Sequence, residues 1–327
     1  MTQLDLFGAP VPGKGEIAPA PPSDHAAALG ARLPQTVRLG TSSWSFPGWR
    51  GLVWAGDHGE GALSRRGLTA YGQHPLLRTV GVDRTHYAPV SAEVLRGYAE
   101  QVPSTFRFLV KAHEALSLAV FPGHPRYGAH RGQPSPHFLD PAYARDAVVG
   151  PFVDGLGARG GVLLFQFAPQ PVELLGGSPR RFAERLYRFL RDLPSGPTYA
   201  VEVRTPSLLT ADYAAALRSA GAVHCIGLTP GMPSATAQQA MRDPTRPLVA
   251  RWLLAPGWAY DDARAQFAPF DRLVAPDVVA RRELATIIAD AVARAVPTTV
   301  IVNNKAEGSA PRSIEALAEA LLDEPGF

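Results

Sequence analysis

From Val37 onward, short apolar runs alternate with longer amphipathic stretches eight times, and this alternation restricts the fold more than any other property of the chain. The runs lie at Val37 to Leu39, Thr79 to Val82, Phe106 to Val110, Val162 to Phe167, Tyr199 to Val203, Val223 to Ile226, Leu248 to Trp252 and Thr298 to Val302. Their length and bounding turn residues read as strands. Between them, Ala92 to Gln101 follows a Ser91 cap, and Pro179 to Asp192 follows Ser178 with proline at the first turn. Asp212 to Ser219 after Thr210, Asp277 to Ala295 and Ser313 to Leu322 also read as helices. The alternation is that of an α/β protein and admits two architectures, a closed (β/α)8 barrel and a doubly wound open sheet.

Size and composition narrow the class. A chain of 327 residues can form one large α/β domain or two average ones. No apolar run approaches the roughly 18 residues of a membrane span, and the amino terminus lacks a basic stretch followed by a hydrophobic secretion segment. A cytoplasmic protein without a membrane partner is expected; the oligomeric state is open. A net charge of +3 is too mild to argue for nucleic acid. The kind of basic residue says more, because of 32 lysines and arginines only Lys14, Lys111 and Lys305 are lysine. Where arginine serves for generic positive charge, a retained lysine points to a need for a compact, titratable ammonium. The single cysteine, Cys225, lies in an apolar run and reads as a small buried hydrophobe.

Residues 8 to 34 are rich in Pro, Gly and Ala, so residues 1–34 are expected to form a disordered leader before a folded body at 35–327. In that leader, Gln3-Leu4-Asp5-Leu6-Phe7 resembles the pentapeptide by which bacterial repair and replication proteins dock on the DNA polymerase sliding clamp. The resemblance implies that Leu6 and Phe7 fill apolar pockets while the Gln3 amide makes hydrogen bonds. A flexible leader of this length reaches on the order of 30 Å. The irregular stretch from Gly123 to Pro141, with His124, Arg126, His130, Arg131 and His137, reads either as a lid or as an ordinary insertion.

In a barrel the chemistry sits at the carboxyl ends of the strands. The first exit offers Trp44 and Ser45, the second Asp83, His86 and Tyr87, and the third Lys111, His113 and Glu114. Gln166 lies on the fourth strand, Glu202 and Arg204 share one face of the fifth, Arg251 is on the seventh, and Asn303, Asn304 and Lys305 follow the eighth. This set is cationic and rich in amide donors, which suits an anionic ligand, most simply a phosphate or carboxylate. No cofactor is expected; a catalytic divalent metal is the lesser alternative, for which these exits offer mainly Glu202, Asp83, His86, His113 and Glu114 as ligands. Glu202 and Asp83 could supply the two carboxylates of a glycoside hydrolase, although the neighbouring cations suit an oxocarbenium-like transition state poorly. Glu202 with Arg204 also reads as a plain ion pair, and Asn303-Asn304 as a helix cap. The five tryptophans, Trp44, Trp49, Trp54, Trp252 and Trp258, lie in or after strands one and seven, where they either stack a ligand ring or pack loops.

The block Gly40-Thr-Ser-Ser-Trp-Ser-Phe-Pro-Gly-Trp-Arg-Gly51 resembles the opening of the YecE-like family (domain of unknown function 72). So do Phe106 to Lys111, Leu164 to Pro169, Ala200 to Ser207 and Val302 to Ala310, and the resemblance covers residues 36 to 322. It implies a single TIM-type barrel and no particular reaction. Where the family commonly shows a Glu and an Asn in the second-strand block, this chain has Gly81 and Asp83 within Val80 to Tyr87; its Thr205 replaces a common His, and Leu253 and Leu254 replace a His-Gly pair. These departures imply a divergent branch or a weakened activity.

The functional expectation is an enzyme, a hydrolase or lyase, acting on a phosphate-bearing ligand that extends to nucleic acid, in DNA repair or replication. Catalytic roles are expected for Glu202, Lys111 and Asp83. Binding roles are expected for Trp44, Ser45, Tyr87, Gln166, Arg204, Arg251, Asn303, Asn304 and Lys305. The alternative is a binding module for nucleic acid or a small anion, recruited by the sliding clamp without turnover.

Overall fold

The computed structural model describes residues 16–325 and 327. The strands are β1 (Val37–Thr41), β2 (Leu77–Val82), β3 (Arg107–Lys111), β4 (Gly160–Phe167), β5 (Thr198–Val203), β6 (Val223–Leu228), β7 (Leu248–Trp252) and β8 (Thr298–Val302). They close in sequence order into one barrel, every neighbour parallel and β8 pairing with β1. Helices α1 (Asp24–Arg32), α2 (Glu60–Tyr71), α3 (Ala92–Ala99), α4 (Gly150–Leu156), α5 (Pro179–Arg191), α6 (Ala211–Ala220), α7 (Tyr260–Phe267), α8 (Val278–Ala293) and α9 (Ala310–Leu322) accompany the sheet.

Local chemistry explains these boundaries. The Ser178 hydroxyl accepts from the Arg181 amide to start α5, and Pro179 occupies its first turn. Phe182, Leu186 and Phe189 then recur at helical spacing and are fully buried, Phe182 against Phe167 and Phe189 against Phe165. Burial of each such side chain contributes about 1.5–3 kcal/mol. Gly40 is required where β1 crosses β2, because a Cβ there would lie 1.8 Å from the Thr79 carbonyl oxygen. The register between the two strands shifts at this point.

Two apolar layers result. The larger fills the space between sheet and helices. The smaller lies inside the barrel and consists of Leu109, Val162, Leu164, Ala200, Val223, Cys225, Val249 and Ile301. Burial pushes the Cys225 thiol well above its usual range, consistent with a packing role. Strand alternation puts Lys111, Gln166, Glu202, Arg251 and Asn303 on the same inward face, one layer nearer the carboxyl ends. The inner core therefore forms the floor of whatever these groups hold.

The leader expectation is corrected for residues 16–34. Ala20 and Ala55 donate to Val53 and Ala18 in a short pairing, and Ile17 and Ala20 are buried. Helix α1 follows, capped by Ser23, with Ala26, Leu29 and Gly30 inward. Arg78 donates to the carbonyls of Gly30, Leu33 and Pro34 and so satisfies the end of the helix. The spacing of 26, 29 and 33 is helical, but small side chains give it little apolar contrast. Gln3 to Phe7 lie outside the described residues.

Candidate active site

A cavity of about 470 Å³ opens at the carboxyl ends of the strands. Asp83, Tyr87, Lys111, Gln166, Arg204, Arg251 and Asn303, named above from strand exits alone, all line it. His86, Glu114, Arg126, Tyr127 and Tyr260 complete its polar wall. A more apolar cavity of about 530 Å³ adjoins it across Thr229 and Leu254, between Leu228–Ser234 and the start of α8, and carries far fewer ionisable groups.

Beneath the cation-lined cavity sits a buried charge cluster. Glu202 is 0% exposed; its Oε1 accepts from Arg204 Nε at 2.7 Å and its Oε2 from Arg251 Nη1 at 2.6 Å. Gly227 on the adjoining strand leaves room for it, since a Cβ there would stand 3.3 Å from Glu202 Cγ. Gln166 Oε1 accepts from both arginines, at 2.9 and 3.1 Å. Burial by itself would raise the pKa of Glu202, but Arg251 and Arg204 outweigh it and bring the value to about 2. The structure places Glu202, expected as acid or base, beneath the cavity lining and between two guanidiniums. A fully buried carboxylate of such low proton affinity neither lines the cavity nor exchanges protons near neutral pH. It fixes two guanidiniums instead. The same geometry removes one of the two carboxylates that glycoside hydrolysis would need.

Above this layer, Asp83 Oδ1 stands 3.8 Å from both Lys111 Nζ and Arg251 Nη2. These separations allow ion pairing without a direct hydrogen bond. Lys111 is almost buried, and burial together with Arg251 and Arg204 lowers its pKa to about 8 against the opposing pull of Asp83. His86 Nδ1 lies 3.2 Å from the Ala112 carbonyl oxygen, and burial first, then Lys111, depresses its pKa to about 3. It is a neutral imidazole whose Nε2 faces Glu114 at 3.5 Å. Burial raises the pKa of Glu114 despite Arg126, whose Nη2 donates to it at 2.6 Å.

Arg126 and Tyr127 come from the irregular 123–141 stretch, so this segment does reach over the cavity. The Arg126 guanidinium lies 4.9 Å above the Tyr87 ring and 4.5 Å above that of Tyr127. Sequence reasoning missed both as site residues, because nothing in a long insertion marks which of its side chains fold inward. His124 and His130 are exposed, while His137 stacks on Tyr143 at 3.8 Å. Among the described residues no group of three or more metal-ligating side chains converges.

Several expected site residues lie elsewhere. Trp44 is buried in the helical layer, edge-on to Tyr98 at 5.1 Å, with its Nε1 donating to the Ser64 carbonyl. Ser45 approaches only Ser43, at 3.4 Å. The reason is a turn after β1: Thr41 donates to the Ser43 carbonyl, and the Thr41 amide donates to Tyr71, so the chain leaves the barrel axis. Asn304 is structural, its Oδ1 accepting from Trp49 Nε1 and the Ala310 amide. Trp49 in turn packs on Trp54 at 5.5 Å, and both are fully buried. Lys305 reaches the rim, where its Nζ lies 4.3 Å from the Tyr260 ring centroid and 3.5 Å from Asn303 Oδ1.

Comparison with known proteins agrees with this architecture. A DUF72 family protein from Enterococcus faecalis V583 superposes with a TM-score of 0.59 at 18% identity, covering 88% of this chain and 96% of that one. A DUF72 family protein from Thermotoga maritima MSB8 gives 0.56, also at 18% identity, covering 88% and 99%. At these identities the likeness concerns the fold alone. No curated protein matches the sequence. No helix among the described residues is long and apolar enough to cross a membrane. The family described as "Protein of unknown function DUF72" matches residues 38–326, and the chain belongs to it.

Proposed function

We propose that the carboxyl-terminal mouth of the barrel binds a phosphate-bearing ligand and acts on it. The observation that carries this reading is the convergence of Lys111, Arg204 and Arg251 on one cavity from three strands, with Arg126 reaching in from above. The charge of Glu202 is already spent on two of these arginines. Asp83 then stands 3.8 Å from two of the cations, and Glu114 on the same cavity holds Arg126 at 2.6 Å. A phosphate or carboxylate entering there would gain charge-assisted hydrogen bonds in a partly dehydrated site. Gln166 holds both guanidiniums from below and so reduces the cost of ordering them on binding.

The Gln3 to Phe7 motif adds a process to the chemistry. Docking on a sliding clamp would bring the cavity to DNA, whose phosphates are the matching anion. A second reading, a binding module without turnover, is favoured by the locking of Glu202. The two are separated by whether any phosphate-bearing ligand that binds is also converted.

The test is titration with inorganic phosphate, pyrophosphate and a single-stranded oligonucleotide, in wild type and in Arg126→Ala. Arg126 is the least disruptive choice because its side chain is 40% exposed. Loss of one charge-assisted contact is expected to weaken binding about tenfold. Absence of saturable binding by all three ligands would refute the proposal.

A further inference from the structure

We infer that Lys111 is a nucleophile that forms an imine with the carbonyl carbon of an anionic aldehyde or ketone. The inference rests on the anion-binding reading above and deepens it from a charge to a substrate class. Its starting point is the amine itself. In a chain that uses arginine for nearly all its positive charge, lysine is retained at the inward face of β3, where the side chain lines the cavity and is only 7% exposed. A guanidinium in that place would bind an anion equally well but could not serve as a nucleophile.

The surroundings favour the reactive form. Burial over an apolar floor and two fixed guanidiniums disfavour a further positive charge, against the pull of Asp83 at 3.8 Å and of Glu202, whose charge the arginines already share; Glu114, on the same cavity, is held by Arg126. An appreciable fraction of the amine is therefore neutral at pH 7 to 8. Lys305 differs, since its Nζ is covered by the Tyr260 ring.

The step balances without a further reagent. The Nζ lone pair attacks the carbonyl carbon, and the C=O electron pair moves to oxygen. Both amine hydrogens then leave with that oxygen as water, while the C=N bond forms. Asp83 is near enough to carry a proton between nitrogen and oxygen. The arginines hold the substrate's phosphate or carboxylate meanwhile. Once protonated, the imine withdraws electrons from the adjacent carbon and eases loss of a proton or leaving group from it, which is lyase chemistry.

The experiment uses the full chain with pyridoxal 5′-phosphate and, separately, 5′-deoxypyridoxal, which lacks both the phosphate and the hydroxyl that would mask the aldehyde, each reduced with borohydride and mapped by peptide mass. Three lysines and the amino terminus make the assignment unambiguous. Expected is preferential labelling of Lys111 at pH 8, about tenfold faster with the phosphate-bearing aldehyde, slowed by inorganic phosphate and absent in a folded Lys111→Arg variant. Labelling spread equally over Lys305 and the amino terminus overturns the inference. So does an equal rate with 5′-deoxypyridoxal, which denies the anionic substrate. A parallel phosphate titration separates the two levels: saturable phosphate binding with Lys111 unlabelled overturns the imine and leaves the anion site standing, whereas no phosphate binding fails both.

Discussion

Replacing Glu202 by Gln probes the buried cluster on which the site is built. The substitution keeps the shape of the side chain but removes the charge that Arg204 and Arg251 share. Its size can be worked in two ways. A fall in pKa from 4.5 to about 2 corresponds to about 3 kcal/mol of stabilisation of the folded state. Breaking a buried pair also leaves Arg251, 3% exposed, without its closest counter-ion and with only Asp83 at 3.8 Å, which typically costs about 3–5 kcal/mol. Both figures put the loss at pH 7 at about 3–5 kcal/mol, or a melting temperature lower by roughly 6–10 °C for a domain of this size. The sign with pH follows from the direction of the shift. A depressed carboxyl pKa stabilises the fold fully above the unfolded value near 4.5 and loses that stabilisation as pH falls through about 2. Urea unfolding of wild type and variant, followed by circular dichroism between pH 3 and 8, is the assay. The gap should be constant from pH 6 to 8 and narrow below pH 4.5. A variant as stable as wild type at pH 7, or a gap that closes already by pH 6, would refute the view of Glu202 as a buried structural anion.

Trp44→Phe should lower stability by about 1 kcal/mol through the lost bond to the Ser64 carbonyl and leave phosphate affinity unchanged. A selective loss of affinity would put Trp44 back at the ligand. Gly40→Ala should abolish soluble expression, because the added Cβ meets backbone rather than a yielding side chain; a folded variant would show that the close crossing of β1 and β2 is misjudged. For the amino-terminal motif, Leu6→Ala with Phe7→Ala should eliminate retention on an immobilised sliding clamp, and equal retention of both proteins would dismiss the motif.

Strand positions were legible because they depend on periodicity, which a single sequence displays. All eight strands fall where apolar runs and turn residues put them, and Ser91, Ser178 and Thr210 cap helices as their position suggests. The inward cations were legible for the same reason, since alternation along a parallel strand fixes which side chains share a face. Helix α1 was not, as its buried residues are small and its composition imitates a disordered tail.

In the sequence by itself, closure into a barrel was implied by the family resemblance, since the alternation also suits an open sheet; local pattern and the fixed direction of side chains on strands were enough for the eight strands and for the groups at their carboxyl ends. Tertiary structure alone decided their roles. The turn after β1 takes the tryptophan block out of the site, and Glu202 becomes a counter-ion once Arg204 and Arg251 close on it. Arg126 joins the cavity from an insertion with no readable pattern. Proton affinity and exposure depend on neighbours distant in sequence, whereas strand propensity depends on neighbours close by.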